Sequence, residues 1–392
     1  MRALVLDGGH APSPLAAIRE LGSAGWTVGV GAASDAGFSA ASRWCRAFYR
    51  VPSPVDGLQA FVDGVNRAVA AGDYEVVFPS GDAEALALAY ASHGIETRVP
   101  YRPYHHLKPA FDKLTLGEAA EEVGIAVPRT ALASQVEPEA FDPPLMVKSR
   151  FHWEPERGRG GARTEARRAH ETSEAWRFAE EIRSDGGDPL YQETLRGTLM
   201  GFTALTDPQG EVVAQLQQMA PCTWRPSLGM PARAHTVVVD RELAERVARM
   251  LRGLGWFGLV QIQFLVTREG RPHLIDFNGR AYASEALALA AGINFHDLWG
   301  RMATGRPWTP PAPAAEGRRY QWAEGDVRRC VAQRGRSCWP ALLGCLGYAV
   351  GATHPIWQAS DPGPFARYPL DVLRRVRRRR QAQAPLLEPA EG

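Results

Sequence analysis

Short apolar runs alternate with amphipathic segments through the first hundred residues, and this alternation constrains the fold more than any other feature. Strands are predicted at 3–6, 28–30, 48–51 and 76–78. Helices are predicted at about 14–23, 58–69 and 82–90. Asp82 is placed to cap the last of these helices. The alternation predicts a parallel, doubly wound sheet that binds ligands at the carboxyl ends of its strands, here Gly9-His10 and 80–84.

The chain beyond residue 100 mixes helices with hairpins. An irregular link is predicted at 103–109, and the proline-rich stretch at 307–313 marks a second boundary. Between them the predicted elements are a helix at 111–123, a strand at 145–148, a glycine-rich loop at 157–162, a helix at 176–183, a strand at 190–193, a hairpin of 202–206 with 212–218, a helix at 241–254 and a hairpin of 259–266 with 272–278.

The second hairpin carries a group of polar residues typical of a functional site. Asp276, Asn278 and Arg280 alternate along its second strand, so the period of two places their side chains on one face. Ile275 and Phe277 are predicted to face the core. The alternative interpretation is a solvent-facing strand that carries polar residues by chance.

The partner strand can add to this polar face. If Gln263 pairs with Asp276, its amide joins the face, and Leu265 lies beside it as an apolar floor. Carboxylate and amide oxygens at this spacing suit Mg²⁺, which takes few protein ligands and shares its remaining sites with phosphate and water.

Four motifs between residues 112 and 280, in this order, resemble the ATP-grasp superfamily, of the carboxylate-amine ligase type. Asp112-Lys113 precedes GIAVP at 124–128, and PLMVKSR with Lys148 precedes the lid glycines Gly158, Gly160 and Gly161. YQETLRG at 191–197 resembles the adenine-binding hinge. GLVQIQFLV and HLIDFNGRA resemble the magnesium strands, and are most similar to those of the carbamoyl-phosphate synthase large chain.

The resemblance implies ATP and Mg²⁺ as cofactors, with Mn²⁺ as an alternative metal. Lys113 and Lys148 would neutralise the triphosphate from two sides, and the lid glycines would close over it. Backbone groups of Glu193, Thr194 and Leu195 would read the adenine, whose faces Met146 and Leu265 would cover. The remaining predicted roles are metal binding for Gln263, Asp276 and Asn278, and catalysis for Lys148 and Arg280, the latter meeting the substrate carboxylate or the acyl phosphate.

The sequence departs from the family pattern at four positions. Asp276 stands where glutamate is usual, and Gln263 is neutral, so one formal negative charge remains at the metal. Gly279 replaces the usual proline, and Met200 occupies the position of a ribose-binding acid. These departures bear on metal stoichiometry and ribose contacts.

The predicted fold is α/β and α+β, in four segments. These are a pre-ATP-grasp Rossmann-like domain at 1–108, the ATP-grasp lid subdomain at 109–195, the C-terminal ATP-grasp subdomain at 196–305, and a C-terminal extension with a basic tail at 306–392. Substrate-side candidates are expected in loops that face the cleft, with helix capping, lid packing or surface charge as the competing roles: His10, Asp82, Glu84, His152, Trp153 and Arg225.

The function implied is ATP-dependent ligation of a small-molecule carboxylate to an amine, through an acyl phosphate. Bicarbonate activation is a second enzymatic interpretation. A nucleotide-binding regulatory or interaction protein with a weakened metal site is the non-enzymatic alternative, suggested by Gln263 beside Asp276. A homodimer is compatible with the sequence.

Composition separates two groups of basic residues. Only Lys108, Lys113 and Lys148 of the 45 basic residues are lysines, which suggests sites where a compact ammonium is needed. Six arginines at 374–380 leave the remaining chain with a net charge of −4, so a nucleic-acid partner is not expected. This run is predicted to be a solvated helix end, and contact with an anionic membrane is the less favoured alternative.

Cysteine usage and hydropathy indicate a cytoplasmic protein. The five cysteines form no C-x-x-C pair, and the N-terminus lacks a secretion signal. The most apolar stretch, 339–350, is too short to span a bilayer and is predicted to be a buried helix. Trp322, Trp339 and Trp357 are predicted to lie in the core.

Overall fold

The computed structural model describes residues 1–9, 12–34, 37–157, 166–224, 230–332 and 339–382, with side chains up to Leu373. His10, Arg225 and the three lid glycines Gly158, Gly160 and Gly161 lie outside them, so the predictions for these residues remain predictions.

The N-terminal part is the predicted parallel, doubly wound sheet. Its strands are β1 (Arg2–Asp7), β2 (Thr27–Ala32), β3 (Cys45–Arg50) and β4 (Val76–Phe78), in the order β3-β2-β1-β4. Its helices are α1 (Ser13–Ser23), α2 (Leu58–Gly72) and α3 (Asp82–Tyr90). Leu4, Ile18 and Phe61 are buried between the layers, which is why these strands read as apolar runs. The carboxyl ends of β1 and β4 are joined by a hydrogen bond from the Gly8 N–H to the Ser80 hydroxyl, 3.1 Å long.

The predicted irregular link at 103–109 is wrong, because most of it is helical. Two helices follow the first sheet, α4 (Tyr104–Phe111) and α5 (Lys113–Glu122). Leu107, Ala110 and Phe111 give α4 a buried apolar side that outweighs the proline within the helix. Asp112 ends α4 and caps α5, accepting the Leu114 N–H at 3.1 Å.

A four-stranded antiparallel sheet comes next, with its own small core. Its strands are β5 (Thr130–Leu132), β6 (Leu145–Ser149), β7 (Arg167–Ala169) and β8 (Pro189–Glu193), in the order β5-β8-β6-β7. Helix α6 (Thr172–Ser184) packs on it through Ala175, Ala179 and Ile182.

The third sheet has seven strands and forms one wall of a large cavity. Its strands are β9 (Thr198–Thr206), β10 (Val212–Trp224), β11 (Met230–Val237), β12 (Gly258–Val266), β13 (Pro272–Asn278), β14 (Arg319–Gln321) and β15 (Ala352–Thr353), in the order β13-β12-β9-β10-β11-β14-β15. Both predicted hairpins, β9–β10 and β12–β13, are confirmed. The helices of this part are α7 (Arg241–Gly253), α8 (Ala286–Ala290) and α9 (Phe295–Ala303). Strands β14 and β15 belong to the segment predicted to be a C-terminal extension, so that segment is built into the sheet.

Three helices complete the described chain: α10 (Ala323–Ala332), α11 (Trp339–Ala349) and α12 (Gly363–Ala382). The prediction that 339–350 is a helix is confirmed, but the prediction that it is buried is wrong. Trp339, Leu343 and Leu346 are 67–70% exposed, whereas Cys345 is buried. The helix therefore packs through the side of Cys345 and turns its apolar stripe outward.

The predictions for the other two tryptophans have mixed outcomes, and the described cysteines are unpaired with one another. Trp357 is 45% exposed, which also contradicts a core position, whereas Trp322 is partly buried. Cys330 is buried. The four described cysteines are free. Within the described ranges, no helix combines the length and the hydropathy that a membrane span requires.

A buried ion pair fastens the C-terminal segment to α1. Arg19 Nε lies 2.9 Å from Asp361 Oδ2, and the same guanidinium donates to the carbonyls of Pro355 and Ile356. The Asp361 carboxylate also accepts the Ser42 hydroxyl at 2.8 Å. Because this buried charge is both paired and hydrogen-bonded, the segment 355–361 has a fixed position against the N-terminal sheet.

Candidate functional site

A cavity of about 670 Å³ lies between the N-terminal part, the four-stranded sheet and the seven-stranded sheet. All ten candidate site residues that the structure describes line it: Lys113, Lys148, Glu193, Thr194, Leu195, Gln263, Leu265, Asp276, Asn278 and Arg280. The structure thus brings together residues that span 168 positions of the chain, contributed by α5, β6 and β12 and by β8 and β13 with the residues that follow them.

The paired strands β12 and β13 present three oxygen-bearing side chains to this cavity. Gln263 lies opposite Asp276, as the sequence predicts, and Gln261 lies opposite Asn278. Gln263, Asp276 and Asn278 line the cavity together. The donor set consists of one carboxylate and two amide oxygens, which is the chemistry that Mg²⁺ prefers.

Ile275 departs from the predicted alternation. The register shifts between the pairs Gln263–Asp276 and Phe264–Leu274, so Ile275 is an extra residue in β13, a β-bulge. It lines the cavity beside Asp276, whereas the predicted orientation was toward the core. Phe277 is buried as expected.

Two of the three lysines face the cavity from different elements. Lys148 Nζ, on β6, lies 3.4 Å from the Ile275 carbonyl, so it reaches from the four-stranded sheet to the seven-stranded sheet. Burial lowers the pKa of Lys148 to about 8; the Asp276 carboxylate opposes this shift and the Lys113 charge adds to it. Lys113 Nζ donates to the Arg150 carbonyl at 3.3 Å.

The third lysine has a different environment. Lys108 Nζ lies 3.0 Å from Glu156 and 3.2 Å from Glu154, and it does not line the cavity. Its two carboxylate partners account for its charge without any ligand.

The predicted adenine hinge is the end of β8 and the residues after it. The Glu193 N–H donates to the Arg129 carbonyl at 3.0 Å, so this N–H is already used within the protein. The hydroxyl oxygen of Thr194 is buried and has no hydrogen-bond partner in the described part of the chain. Met146 and Leu265 line the same cavity and supply apolar surface. A planar ring with polar edges fits this combination.

Asp82 joins two cavity residues and does not cap α3. Helix α3 begins at Asp82 after the N-cap Gly81, and no side-chain cap bond forms. The carboxylate instead accepts Arg280 Nε at 2.8 Å and contacts His152 Nδ1 at 2.6 Å. The capping prediction is wrong because the carboxylate bonds the guanidinium and the imidazole of the neighbouring parts.

Arg280 is held in one orientation at the centre of the cavity. Besides Asp82, it donates to Asn278 Oδ1 and to the Ala281 carbonyl, both at 2.9 Å. Among the described residues these bonds use three of the five guanidinium N–H groups, which leaves two for a ligand. Arg280 is 5% exposed, so an anion placed against it would be largely removed from water.

His152 lies at the cavity wall, where burial favours the neutral form of its imidazole. Burial lowers the pKa of His152 below its usual value of 6.5, the Lys113 charge adds to this effect, and Asp82 opposes it. With Asp82 accepting from Nδ1, the proton lies on that nitrogen and Nε2 is left as an acceptor.

Two other substrate-side candidates do not line the cavity. Trp153 is 5% exposed and packs in the main core, which contradicts the expectation that it faces the cleft. Glu84 is buried beneath the end of β1, where a Cβ at Gly8 would lie 2.3 Å from its carboxylate. Burial raises the pKa of Glu84 to about 7.

Packing explains two departures from the family pattern. A Cβ at Gly279 would lie 2.2 Å from the Trp256 ring, so the indole occupies the space that a proline would need. Met200 is buried and its sulfur accepts the Gln217 amide, while its neighbour Leu199 lines the cavity. The position predicted for a ribose-binding acid therefore points away from the cavity.

Sequence reasoning missed the contribution of the C-terminal segment. Trp322, Ile356, Tyr368 and Val372 line the same cavity as the candidate residues. No motif in this part of the sequence marks them, since their position depends on contacts between distant parts of the chain, among them the pairing of β14 with β11 and the Arg19–Asp361 ion pair.

The fold is similar to solved structures of several ATP-using enzymes. The N5-carboxyaminoimidazole synthetase of Staphylococcus aureus, in complex with ADP, matches with a TM-score of 0.61 at 14% identity over 83% of each chain. The biotin carboxylase domain of the Hydrogenobacter thermophilus 2-oxoglutarate carboxylase, with MgADP and bicarbonate, matches at 0.60 and 15% over 81% of this chain and 73% of that one. The L-amino acid ligase of Bacillus licheniformis matches at 0.58 and 15% over 80% and 74%.

These similarities show that the chain has the ATP-grasp fold. They cover about four fifths of the chain. No family model and no curated protein matches the sequence. At identities of 14–15% the shared property is the fold.

Proposed function

We propose that this protein is an ATP-dependent ligase that activates a carboxylate as an acyl phosphate and joins it to an amine. The products would be an amide, ADP and phosphate. The observation that carries the proposal is the convergence of Lys113, Lys148, Arg280 and the Gln263–Asp276 pair on one cavity. Two ammonium groups, an oxygen donor set and a buried guanidinium are what phosphoryl transfer from ATP to a carboxylate requires.

The nucleotide would lie between β6, β8 and β12. Thr194 and Leu195 would read the adenine edge, since the Glu193 N–H is used by Arg129. Met146 and Leu265 would cover the ring faces. Lys148 is well suited to the phosphates, because burial has lowered the pKa of its ammonium and a nearby anion would favour the charged form.

The oxygen donors of β12 and β13 fit a divalent cation. Gln263, Asp276 and Asn278 would hold Mg²⁺ or Mn²⁺, and the cation would supply charge neutralisation to the phosphates. Asn278 Oδ1 accepts one bond from Arg280, and its second lone pair suits this role.

Arg280 would orient the substrate carboxylate. A carboxylate oxygen would attack the γ-phosphorus, forming the C–O–P bond of the acyl phosphate as the bond to the ADP oxygen breaks. The two remaining N–H groups of Arg280 would stabilise the developing charge. The amine nitrogen would then attack the acyl carbon, and phosphate would leave with the electrons of the broken C–O bond.

His152 would accept the proton that the attacking amine loses. Its Nε2 is an acceptor, its Nδ1 is bonded to Asp82, and it lines the cavity. Because Asp82 also binds Arg280, one carboxylate positions both the base and the carboxylate-binding group.

A nucleotide-binding regulatory protein is the second candidate. The neutral Gln263 favours it, because the donor set has a single carboxylate and would hold a second cation weakly. We place either protein in the cytoplasm, where its free cysteines remain reduced.

Phosphate release separates the two candidates. Purified protein is incubated with Mg-ATP and pools of carboxylates and amines, and products are identified by mass spectrometry. The ligase requires phosphate release that depends on both pools and a product mass equal to the sum of the two substrates less one water. ATP binding without turnover in every pool supports the regulatory protein and contradicts the ligase.

A further inference from the structure

The cavity extends well beyond the residues proposed to bind the nucleotide. Asp276 lies on β13, whereas Trp322 directly follows β14, five strands away in the order of the sheet. At about 4.8 Å per strand this separation is about 24 Å across the sheet. Both residues line the same cavity. A substantial part of the cavity therefore lies several strands away from β13 and its cavity-lining residues.

The walls of this distant part are mainly aromatic and aliphatic. Trp224 and Met230 face each other as a pair at the ends of β10 and β11. Trp322, Ile356, Tyr368 and Val372 also line this part of the cavity. Tyr368 and Val372 are four residues apart on α12, so they share one side of that helix. We call these six residues the distal wall.

The charged residues near the distal wall are already paired. Glu324 and Arg328 also line this part of the cavity, and they form an ion pair with each other. The Tyr368 hydroxyl donates to the same glutamate. What the distal wall offers to a ligand is therefore apolar and aromatic surface.

The C-terminal residues of the distal wall are held in place by packing contacts with the N-terminal part of the protein. Ile356 packs in a small core with Leu15 and Phe38, and the Tyr368 ring lies 5.3 Å from the Phe38 ring, edge to face. The neighbouring Asp361 is bonded to Arg19. These contacts hold the C-terminal segment against the N-terminal part, opposite the sheet.

We propose that the distal wall is a binding subsite for an apolar or aromatic group carried by the substrate. One end of that substrate, a carboxylate or an amine, would lie at Arg280, and its apolar body would extend across β10 and β11 toward Trp322. This inference rests on the proposed ligase function for the reacting end, and on the distal wall alone for the apolar body.

Ligand-observed NMR tests the subsite without requiring catalysis. The probes are 3-phenylpropanoate, hexanoate, 3-phenylpropylamine and hexylamine, with acetate and methylamine as short polar controls. The full-length protein is expected to bind at least one apolar probe and neither short control. Trp322→Ala and Met230→Ala are each expected to weaken that binding about tenfold, because each removes a large contact surface.

The variants are chosen to separate binding from folding. Met230 is 38% exposed, so its truncation is not expected to affect the fold. Trp339→Ala is the matched tryptophan control, since Trp339 is 70% exposed and lies outside the cavity. Thermal unfolding of each variant identifies any loss of fold.

The outcomes for the subsite and for the ligase are distinguishable. No binding of any apolar probe, or equal binding by wild type, Trp322→Ala and Met230→Ala, overturns the subsite. Turnover with acetate and methylamine but not with the apolar compounds also overturns it and leaves the ligase standing. Apolar binding that weakens as expected, with no ATP turnover in any pool, supports the subsite and counts against the ligase.

Discussion

The Arg280 guanidinium and the Asp82 carboxylate form a buried ion pair, 2.8 Å long, between residues 198 positions apart in the chain. It connects the residue that follows strand β13 to the first turn of helix α3. Because the second oxygen of Asp82 contacts His152, three parts of the protein converge on one carboxylate. The N-terminal sheet thus sets the orientation of the two groups that we propose to act on the substrate.

Lys148→Ala is expected to lower ATP-dependent phosphate release by about 100-fold or more, because it removes one preorganised charge from the phosphate site. Lys108→Ala is the matched control, since Lys108 pairs with Glu154 and Glu156 outside the cavity. Steady-state kinetics on both variants provide the measurement. Equal losses in the two variants would contradict the assignment of Lys148.

Asp276→Asn is expected to weaken divalent cation binding by at least tenfold, because it removes the single carboxylate of the donor set. Gln263→Glu is expected to strengthen it by adding a second negative charge. Mn²⁺ titration in the presence of ADP, followed by electron paramagnetic resonance, measures both. Unchanged Mn²⁺ affinity in both variants would show that the metal lies elsewhere.

His152→Gln is expected to lower the ligation rate by about 100-fold and to abolish the acid limb of the pH–rate profile. In the wild type this limb lies below pH 6.5, because burial lowers the pKa of His152. Asp82→Asn should move the limb to lower pH, since the Asp82 charge raises that pKa. An acid limb that persists in His152→Gln belongs to another group and refutes the assignment.

Glu84→Gln is expected to remove part of the pH dependence of the free energy of unfolding. Burial raises the pKa of Glu84 from 4.5 to about 7, so the native state holds its proton more tightly than the unfolded state. The wild type should lose up to about 3 kcal/mol of stability through this group as the pH rises from about 4.5 through about 7.

Urea unfolding of the wild type and Glu84→Gln at pH 5 and pH 8 measures this effect. Between pH 5 and pH 8 the free energy of unfolding should fall less in Glu84→Gln than in the wild type. If the free energy of unfolding changes equally with pH in the two proteins, the pKa of Glu84 is not raised in the native state.

Gly279→Ala is expected to lower the free energy of unfolding by about 1–3 kcal/mol, because the new Cβ would lie 2.2 Å from the Trp256 ring. Gly117→Ala, in α5, is the control, since a Cβ there meets nothing within 4 Å. Denaturant titration measures both. Equal stability of the two variants would indicate that Trp256 moves aside freely.

Local patterns in the sequence predict the strand-level features of the site. The period of two along β13 and the hairpin spacing correctly place Gln263 opposite Asp276. The same rule fails at Ile275, because a β-bulge adds one residue to a strand and local hydropathy carries no mark of it. The parallel sheet is predictable for a similar reason, since β1, β2 and β4 read as short apolar runs.

Features that depend on distant contacts could not be predicted from local pattern. Asp82 has the ideal residue type and position for a helix cap, and only the proximity of Arg280 and His152 shows its actual role. The apolar composition of 339–350 predicts a helix correctly, but its exposure depends on how little of the protein packs against it. Trp322 and Tyr368 reach the cavity through folding of the whole chain.

The Arg19–Asp361 ion pair can form only late in the synthesis of the protein. Asp361 is synthesised 342 residues after Arg19. The residues that we propose to bind the nucleotide are synthesised before it. The growing chain therefore contains the described residues that we propose to bind the nucleotide before Ile356 and Tyr368 of the distal wall are synthesised. The residues that we propose to bind the nucleotide are thus synthesised before two of the residues that we propose to select the substrate.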